Sequence, residues 1–442
     1  MRLTHLSITN FKNYARLELD LPAGTTIVHG DNAQGKTSFL EAIFYLATTR
    51  ALGSQTDAQL INWVAQQSGL PYARLWAQAQ PAASGATDRA PKQLEIIWSQ
   101  DPSPGGASAD GAARLQKSLK LNGVRKRALD WVGQLAVVLF VPADLELVTG
   151  PPSQRRHYLD HLISQIDVKY LEALHIYTRV LLQRNQHLKR LQERGGPAES
   201  LHLWDDQLVT HGTYLVLRRQ AVMTQLDELA QRVHPQLTGG RERLRLLYRP
   251  NLNVGQPVDY QLPLTLGADF SATYHQPQLD GGEVAAHFYA RLRDGEPRER
   301  AQGITLAGPH RDDLRFLVDG VDMNIYGSRG QQRSTALALK LAEMELMHAQ
   351  TGEHPILLLD DVLSELDAER RRYLVGRIDA HEQTLLTTTD LTQYACQFTR
   401  PVCVMRVREG IMRRDEARER EIVRDLTSSP LSPDQVGGEG LG

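Results

Sequence analysis

The amino-acid sequence predicts an α/β protein in which a mixed β-sheet with flanking helices is accompanied by a mostly helical arm lobe. Three observations predict this fold class. A short apolar strand, a glycine-rich loop and an amphipathic helix follow one another over residues 25–46. A second apolar strand, at 356–361, ends in two carboxylates. Two long stretches of helical periodicity, 165–194 and 198–237, are separated by Gly195-Gly196-Pro197, which predicts a helical hairpin.

The glycine-rich loop has the form G-x-x-x-x-G-K-T, the P-loop pattern. Its glycines let successive backbone N–H groups face an anion, and the helix that begins near Lys36 adds the positive end of its dipole. Lys36 is predicted to reach nucleotide phosphates, and the Thr37 hydroxyl to hold Mg²⁺. A chance glycine turn, the alternative, does not require the strand and helix that flank the loop here. The predicted nucleotide-binding residues are Gly30, Asp31, Asn32, Ala33, Gln34, Gly35, Lys36, Thr37 and Ser38.

The strand that ends in carboxylates supplies the second half of such a site. Its sequence runs from Ile356 through three leucines to Asp360 and Asp361, which is a Walker B pattern. Asp360 is placed to hold the water shell of Mg²⁺, so Thr37 and Asp360 are the predicted metal-site residues. Ser364–Asp367 follows at once and has the form of a D-loop.

The motif at 328–333, Ser-Arg-Gly-Gln-Gln-Arg, opens a long amphipathic helix and resembles the S-x-G-Q signature of ABC-type ATPases. A serine hydroxyl and a glycine N–H at a helix N-terminus form another anion site. The resemblance implies an ABC-type P-loop ATPase head with ATP and Mg²⁺ as cofactors. In that class the signature faces the nucleotide of a second subunit. Ser328 and Gly330 would therefore act in trans, in a head-to-tail homodimer that holds ATP between two chains.

The residue after the Walker B aspartate bears on the rate of hydrolysis. Most ABC ATPases have glutamate there, whereas this chain has Asp361, which is one methylene shorter. Small misplacements of a reacting group cost about 10²-fold in rate. The resemblance therefore implies a weak ATPase in which Lys36 and Asp361 are catalytic. Thr387-Thr388-Thr389 stands where the class generally carries a switch histidine.

Five motifs in chain order resemble the RecF family. They are the segment 6–14 with the P-loop, the segment 140–160, Gly308–Leu314, the signature and Walker B. The resemblance covers nearly the whole chain outside 80–113 and the C-terminal tail. It implies an ATP-dependent recombination mediator in DNA repair and replication, which dimerises on single- or double-stranded DNA at gaps or junctions. It also implies support of recombinase loading and SOS induction, DNA-stimulated hydrolysis, and RecR with the recombination mediator complex as partner.

Three other classes share some of these motifs. An SMC- or Rad50-like structural ATPase head is the principal alternative, but the predicted arm is far shorter than their coiled coils. In an ABC transporter subunit the signature follows the P-loop much more closely than the 292 residues that separate Lys36 from Ser328 here. A GTPase would need an Asn-Lys-x-Asp motif, which the sequence lacks.

The motifs predict four segments. Residues 1–160 form the N-terminal part of the ATPase head, with a flexible insertion at 80–113 that contains one strand, 94–98, and 161–250 form the helical arm lobe. Residues 251–414 return to the head with the signature, Walker B and D-loop, and 415–442 form a disordered tail.

The formal net charge of −2 gives no global signal for nucleic acid, so DNA binding requires a local basic patch. Over 179–249, twelve Lys and Arg face seven Asp and Glu, which makes the arm the predicted DNA patch. A solvated helix face is the alternative for the arm, as a capped helix start is for Arg155 and Arg156. The predicted DNA-binding residues are Arg155, Arg156, Arg184, Lys189, Arg190, Arg218 and Arg219.

Two further features bear on chemistry and compartment. In Gly308–Leu314, His310 stands beside Arg311 and two aspartates; an ion-paired turn is the favoured interpretation, and a metal or acid–base site the alternative. The two cysteines fit no metal motif, no apolar run reaches the roughly 18 residues of a membrane span, and the N-terminus predicts no signal peptide. These features predict a cytoplasmic protein without a membrane partner.

Overall fold

A computed structural model describes residues 1–52, 55–67, 72–81, 90–100, 115–195, 201–252, 254, 278–379, 381–391 and 398–428. The chain forms two compact units. The first comprises residues 1–126, 137–141 and 354–442, and the second comprises 127–136 and 142–353. The sequence predicted a different division, with residues 251–414 in the head. Instead, the signature helix is grouped with the arm helices in the second unit.

The strands and helices are numbered separately in chain order. The strands are β1 (Arg2–Phe11), β2 (Tyr14–Asp20), β3 (Gly24–His29), β4 (Tyr72–Gln80), β5 (Lys92–Gln100), β6 (Leu115–Leu121), β7 (Val124–Lys126), β8 (Val137–Phe140), β9 (Leu244–Arg249), β10 (Asp313–Val318), β11 (Val321–Asp322), β12 (Ile356–Asp360), β13 (Gln383–Thr388), β14 (Cys403–Arg408) and β15 (Ile411–Arg414). The helices are α1 (Lys36–Thr48), α2 (Trp63–Gln67), α3 (Ala128–Trp131), α4 (Leu145–Thr149), α5 (Pro152–Ile166), α6 (Val168–Arg194), α7 (His202–Thr238), α8 (Gly281–Gln302), α9 (Arg329–Thr351), α10 (Ala368–Asp379) and α11 (Glu416–Ser428).

The first sheet of the first unit is antiparallel, with strand order β2-β1-β4-β5-β6-β7. Its strands alternate buried and exposed residues because one face packs on the core and the other meets solvent. In β4, for example, Ala73, Leu75 and Ala77 are fully buried. An Asn122-Gly123 turn joins β6 to β7, and both residues have positive φ, as a two-residue hairpin turn requires.

The second sheet carries the predicted nucleotide motifs and has the order β15-β14-β3-β13-β12-β8. The strands from β14 to β8 are parallel, and β15 pairs antiparallel with β14. Their near-continuous apolar runs reflect burial on both faces, as in Ile356–Leu359 of β12. Strand β3, which leads into the P-loop, lies between β13 and β14. This is the mixed sheet that the sequence predicted.

The second unit contains the helical hairpin of α6 and α7. These helices have 27 and 37 residues, so α7 is about 55 Å long at about 1.5 Å per residue. Asp167 caps α6 by accepting a hydrogen bond from the Tyr170 N–H, and Gly239 ends α7 in a left-handed conformation. A three-stranded sheet of order β11-β10-β9 belongs to the same unit. Strand β9 follows the hairpin directly and was not predicted.

Helix α8 contains Pro297, which does not end it. Two predicted segments differ from the structure or fall outside it. Residues 416–428 form α11 rather than a disordered tail; Arg414 pairs with Glu419, and Ile422 is buried. Within the predicted insertion, 92–100 form β5, whereas 82–89 and 101–114, like tail residues 429–442, lie outside the described residues. Within the described ranges, no helix is long and apolar enough to cross a membrane.

Candidate functional site

The P-loop connects β3 to α1, and its glycines are sterically required. A Cβ added to Gly30 would lie 2.4 Å from the Val407 carbonyl oxygen, which is closer than any real contact. Gly35 has φ +114°, a backbone region that other residues rarely adopt, and a Cβ there would crowd the Tyr14 ring at 3.2 Å. The P-loop backbone therefore curls around the start of α1, in the conformation that phosphate-binding loops use.

Lys36 stabilises that curl from inside. Its Nζ donates hydrogen bonds to the carbonyl oxygens of Gly30 at 2.6 Å and Asp31 at 2.8 Å. The side chain is 7% exposed. Burial lowers the pKa of Lys36, while the charges of Asp361, Asp360 and Asp31 act in the opposite direction. The ammonium group is thus held within the loop by weak neutral acceptors that an anion can replace.

Asp360 joins the two halves of the site. Thr37 Oγ1 donates to Asp360 Oδ2 at 2.8 Å, although 323 positions separate the two residues in sequence. Thr387, at the end of the neighbouring strand β13, donates its hydroxyl to Asp360 Oδ1 at 2.6 Å. A hydroxyl and a carboxylate at the start of a P-loop helix are the hard oxygen donors that Mg²⁺ prefers. The predicted metal-site residues are therefore adjacent, and they fit a Mg²⁺-nucleotide.

Asp361 has an unusual environment. Its φ of +51° is left-handed, and its N–H donates to the carbonyl oxygen of Thr387 at 3.2 Å. Its Oδ1 is buried and has no hydrogen-bond partner within the described part of the chain. Burial raises the pKa of Asp361, and the positive charge of Lys36 opposes that rise. A strained backbone with an unpartnered carboxylate oxygen is a common feature of reactive sites.

The D-loop contacts the main chain of Asp361. Residues Val362–Glu365 form a short 3₁₀ turn, and Ser364 Oγ donates to the Asp361 carbonyl oxygen at 2.7 Å. Asp367 accepts a hydrogen bond from the Arg370 N–H at 2.9 Å and so caps the start of α10.

Neighbouring turns brace the P-loop, and sequence reasoning missed these contacts. The N–H groups of Glu409 and Gly410, in the turn between β14 and β15, donate to the side-chain and main-chain oxygens of Gln34 at 2.7 and 3.1 Å. Tyr14 OH donates to the Gly35 carbonyl oxygen at 3.0 Å. The Glu-Gly pair at 409–410 was the one signal of a turn, and nothing in the sequence placed it beside Gln34.

A cleft of about 700 Å³ opens beside the P-loop, which is within the usual size of small-molecule sites. Thr37, Ser38, Asn62 and Trp63 are among the lining residues. Most of the lining side chains are polar or charged, and Trp63, one of the two apolar ones, is 65% exposed. The P-loop cradle and this cleft together could accept a nucleotide from phosphates to base.

The signature residues belong to the second unit. Ser328 caps α9: its Oγ accepts a hydrogen bond from the Gln331 N–H at 3.3 Å, and the Gln331 side chain accepts one from the Ser328 N–H at 3.1 Å. Ser328 and Gly330 are both exposed. A Cβ on Gly330 would meet only Ser328 Oγ, at 4.0 Å, so the surface over this helix start is open.

Three of the arginines predicted to bind DNA are instead buried in ion pairs of the second unit. Arg155 binds Asp313 at 2.7 Å. Arg184 binds Asp205 and Glu299, both at 2.7 Å. Arg219 binds Asp160 at 2.8 Å and Asp312 at 3.0 Å. These side chains are at most 4% exposed, so they stabilise the fold and are not available to DNA.

The other predicted DNA contacts divide into two groups. Arg156 donates to the Asp312 carbonyl oxygen at 2.7 Å, and Arg218 binds Asp167 at 2.7 Å, so both already have internal partners. Lys189 and Arg190 on α6 are exposed. Much of the excess positive charge of the arm is therefore neutralised inside the unit, and the charge count overstated the arm as a DNA surface.

The Gly308–Leu314 motif is an ion-paired turn, as favoured from the sequence. The Asp312 carboxylate accepts hydrogen bonds from Arg219, Tyr248 OH and the Asn251 N–H. Burial raises the pKa of Asp312 to about 6, against the effect of Arg219. Burial lowers the pKa of His310 to about 4, so this imidazole is neutral near pH 7; it contacts Tyr177 OH at 2.6 Å. The other ring nitrogen of His310 contacts the Thr305 carbonyl oxygen at 3.1 Å, so both ring nitrogens have internal partners.

The chain is similar to known proteins in both sequence and structure. A model described as AAA domain matches residues 5–69. Over 93% of its length the chain is 40% identical to the DNA replication and repair protein RecF of Herpetosiphon aurantiacus, and it covers 99% of that relative. The RecF of Chloroflexus aurantiacus matches with the same identity and coverage. The chain belongs to the RecF family.

Structural comparison agrees with the RecF assignment. A solved structure of the recombination mediator protein RecF-ATP in the RecFOR pathway matches with a TM-score of 0.75 at 28% identity. The match covers 93% of this chain and 97% of that RecF chain. The predicted fold class, an ABC-type P-loop ATPase head with a mostly helical arm lobe, is confirmed, as is the resemblance to RecF.

Proposed function

We propose that this chain is an ATP-dependent, DNA-binding recombination mediator of DNA repair and replication. The hydrogen bond between Thr37 and Asp360 carries the nucleotide part of the proposal, because it joins the P-loop to the Walker B strand. The RecF relatives support the DNA part, since their names place them in DNA replication and repair.

Each residue of the site has a defined task in nucleotide binding. Lys36 exchanges the carbonyl oxygens of Gly30 and Asp31 for phosphate oxygens, and the loop N–H groups face the same anion. Thr37 and Asp360 would hold Mg²⁺, and Thr387 fixes the orientation of the Asp360 carboxylate. When bound, ATP with Mg²⁺ supplies the bond that is hydrolysed and the charge that neutralises the phosphates.

The proposed active form is a homodimer that ATP brings together. Ser328 and Gly330 lie at an exposed helix start, where a hydroxyl and backbone N–H groups can face a second chain's nucleotide. Hydrolysis in this dimer is slow. Asp361 accepts a proton from the attacking water, but its side chain is shorter than the glutamate that most ABC ATPases use.

The proposed cellular role follows the RecF relatives. The ATP-bound dimer persists on DNA at single-strand gaps or junctions, recruits RecR and the recombination mediator complex, and supports recombinase loading and SOS induction in the cytoplasm. DNA raises the rate of hydrolysis and thereby limits the lifetime of the bound dimer. An SMC-like structural ATPase head is disfavoured because the RecF relatives match over nearly their full length.

The proposal is tested by measuring ATP binding, ATP-dependent dimerisation and DNA binding in one series of variants. Lys36→Ala should weaken binding of a fluorescent ATP analogue by tenfold or more, which corresponds to about 1.4 kcal/mol. Lys169→Ala, which removes an exposed lysine of α6, is the matched control. Light scattering with ATP should detect a dimer, and duplex or gapped DNA should bind the wild type in preference to Lys36→Ala. Equal ATP affinity of the two variants would refute the nucleotide site, and a wild type that binds no DNA would refute the mediator role.

A further inference from the structure

The β6–β7 hairpin carries a concentration of positive charge that the nucleotide site does not use. Its residues, 115–126, contain four Lys or Arg and no Asp or Glu. The hairpin forms one end of the six-stranded antiparallel sheet, with β7 as the edge strand. All residues from 122 to 127 are exposed. A compact, solvent-facing basic element of this kind is the electrostatic footprint expected for binding a polyanion.

Some of these cations already have carboxylate partners. Lys117 binds Asp57 at 2.9 Å, and Lys120 binds Glu95 at 3.1 Å. Glu95 also accepts a hydrogen bond from Arg74 at 2.6 Å, so one carboxylate serves two cations. The outer face of the sheet therefore keeps an excess of positive charge beside the hairpin.

Arg125 and Lys126 differ from the arginines of the arm. Arg125 donates only to the Ser118 hydroxyl, at 3.3 Å, and within the described residues neither Arg125 nor Lys126 has a carboxylate within 4 Å. Moreover, Arg125 lies directly opposite Lys120 in the β6–β7 pairing. Like charges at such a position destabilise a sheet by a few tenths of a kcal/mol or more, so the pairing of Arg125 with Lys120 does not itself stabilise the hairpin.

The hairpin is also held rigidly. The Asn122 N–H donates to the Gln93 carbonyl oxygen at 2.8 Å, and the Asn122 side-chain oxygen accepts from the Gln93 N–H at 2.7 Å. The turn is thereby anchored to β5, and little backbone freedom is lost when a ligand binds. The same contacts occupy the amide oxygen of Asn122, which is the acceptor that would otherwise read base edges.

We propose that the β6–β7 hairpin binds the phosphate backbone of duplex DNA, with Arg125 and Lys126 of the edge strand as the contacting cations. This inference rests on the proposed function, because it assumes that the chain binds DNA. The contacts are made by charge alone, so binding at this hairpin is independent of base sequence. The hairpin belongs to the same compact unit as the P-loop and Walker B, which places the DNA contact on the ATPase unit rather than on the arm.

The experiment compares two double variants that each remove a pair of adjacent, exposed cations. Arg125→Ala with Lys126→Ala tests the hairpin, and Lys189→Ala with Arg190→Ala tests the arm. Binding of a fluorescent duplex of mixed sequence is measured by anisotropy over a range of NaCl concentrations, with saturating ATP analogue. Each phosphate contact contributes about 0.9 to the slope of log K against log salt, so the hairpin variant should lose about 1.8 from that slope. The ratio of wild-type to variant duplex affinity should therefore rise about tenfold when the salt concentration is lowered fourfold.

Two controls separate charge from folding. The exchange Arg125→Lys with Lys126→Arg should retain the wild-type slope, because both residues keep their charge. All variants should bind the ATP analogue as the wild type does, since the nucleotide residues are unchanged. A duplex affinity and slope of the hairpin variant equal to wild type would overturn the hairpin site while leaving the proposed function intact.

Two other results would also overturn the inference. Loss confined to the arm variant would return the DNA site to α6. If the hairpin variant binds duplex normally but aggregates, its cations protect a sheet edge instead. A wild type that binds no duplex would refute both the hairpin site and the proposed function.

Discussion

Thr387 donates its hydroxyl hydrogen to Asp360 at a distance of 2.6 Å from Oδ1. The other oxygen of the same carboxylate accepts from Thr37, so Asp360 is held between two threonines from different parts of the chain. Thr387 is completely buried. Its neighbour Thr388 donates instead to the carbonyl oxygen of Asp390 at 3.0 Å, in a local turn. Thr387 is therefore the member of the threonine run that contacts the predicted metal-site residue Asp360.

Thr387→Val should weaken Mg²⁺-dependent ATP binding. The change keeps the shape of the side chain but removes a hydrogen bond to a charged group, which contributes about 1.5–3 kcal/mol. We expect a loss of roughly tenfold or more in Mg²⁺-ATP affinity, by titration with a fluorescent analogue. Thr388→Val, which alters an equally buried threonine on the same strand, should bind as the wild type does. Equal affinities of the two variants would exclude a role for Thr387 in orienting Asp360.

Asp361→Asn should abolish ATP hydrolysis while leaving ATP-dependent dimerisation intact, because Asp360 and Thr37 still hold the metal. The same substitution should change the pH dependence of stability. Burial raises the pKa of Asp361. The folded state therefore binds more protons than the unfolded state between the usual and the raised pKa, and wild-type stability falls as pH rises through that window.

The Asp361→Asn variant does not lose stability as pH rises through this window. It should therefore melt at a higher temperature than the wild type near neutral pH and at the same temperature below the usual pKa of aspartate. Steady-state hydrolysis and thermal melting across pH measure the two effects. Normal turnover of the variant would remove Asp361 from the reaction.

Gly330→Arg should block dimerisation without harming the monomer. Open space surrounds the position, and glycine within a helix costs about 0.5–1 kcal/mol relative to alanine, so a side chain is tolerated there. We expect normal ATP binding but no ATP-dependent dimer in light scattering. Ser328→Arg should give the same result with a less stable α9, because it also removes the cap. Thr224→Arg, on an exposed position of α7, is the control. Dimers of the Gly330→Arg variant would contradict a trans role for the signature.

Arg219→Ala should lower the free energy of unfolding rather than weaken DNA binding selectively. The substitution leaves Asp160 and Asp312 without their cation, and loss of one partner of a buried pair costs about 3–5 kcal/mol. Arg232→Ala removes an exposed arginine from the same helix and should change stability little. Denaturant unfolding measures both. A stable Arg219→Ala protein with weakened DNA binding would restore Arg219 as a DNA contact.

The nucleotide site could be predicted from sequence because its motifs are local. Gly30–Thr37 and Ile356–Asp361 each carry their own strand and loop, and a parallel sheet brings the ends of such strands to one edge. The partners of those motifs were not predictable. Glu409, Gly410 and Thr387 meet the P-loop and Asp360 only through the order of β3, β12, β13 and β14 in the sheet.

The charge count overestimated the arm as a DNA surface, and attention to helical periodicity reduces this error. Buried positions of α6 include Tyr177, Val180, Arg184 and Leu188, so Arg184 lies on the apolar stripe. Arg219 occupies the equivalent place in α7, between Val216 and Val222. A cation on the apolar stripe of a helix indicates a buried ion pair. Its acidic partner lies far away in sequence and cannot be identified without the fold.

The position of β3 between β13 and β14 has a consequence for biosynthesis. Both neighbours lie beyond residue 382, so they leave the ribosome long after the P-loop strand. The nascent chain must therefore keep this apolar strand from pairing wrongly until β13 and β14 have been translated. Long-range closure of this kind slows folding and prolongs exposure to aggregation. A truncated translation product that stops before β13 thus has a P-loop sequence but cannot build the sheet that shapes it.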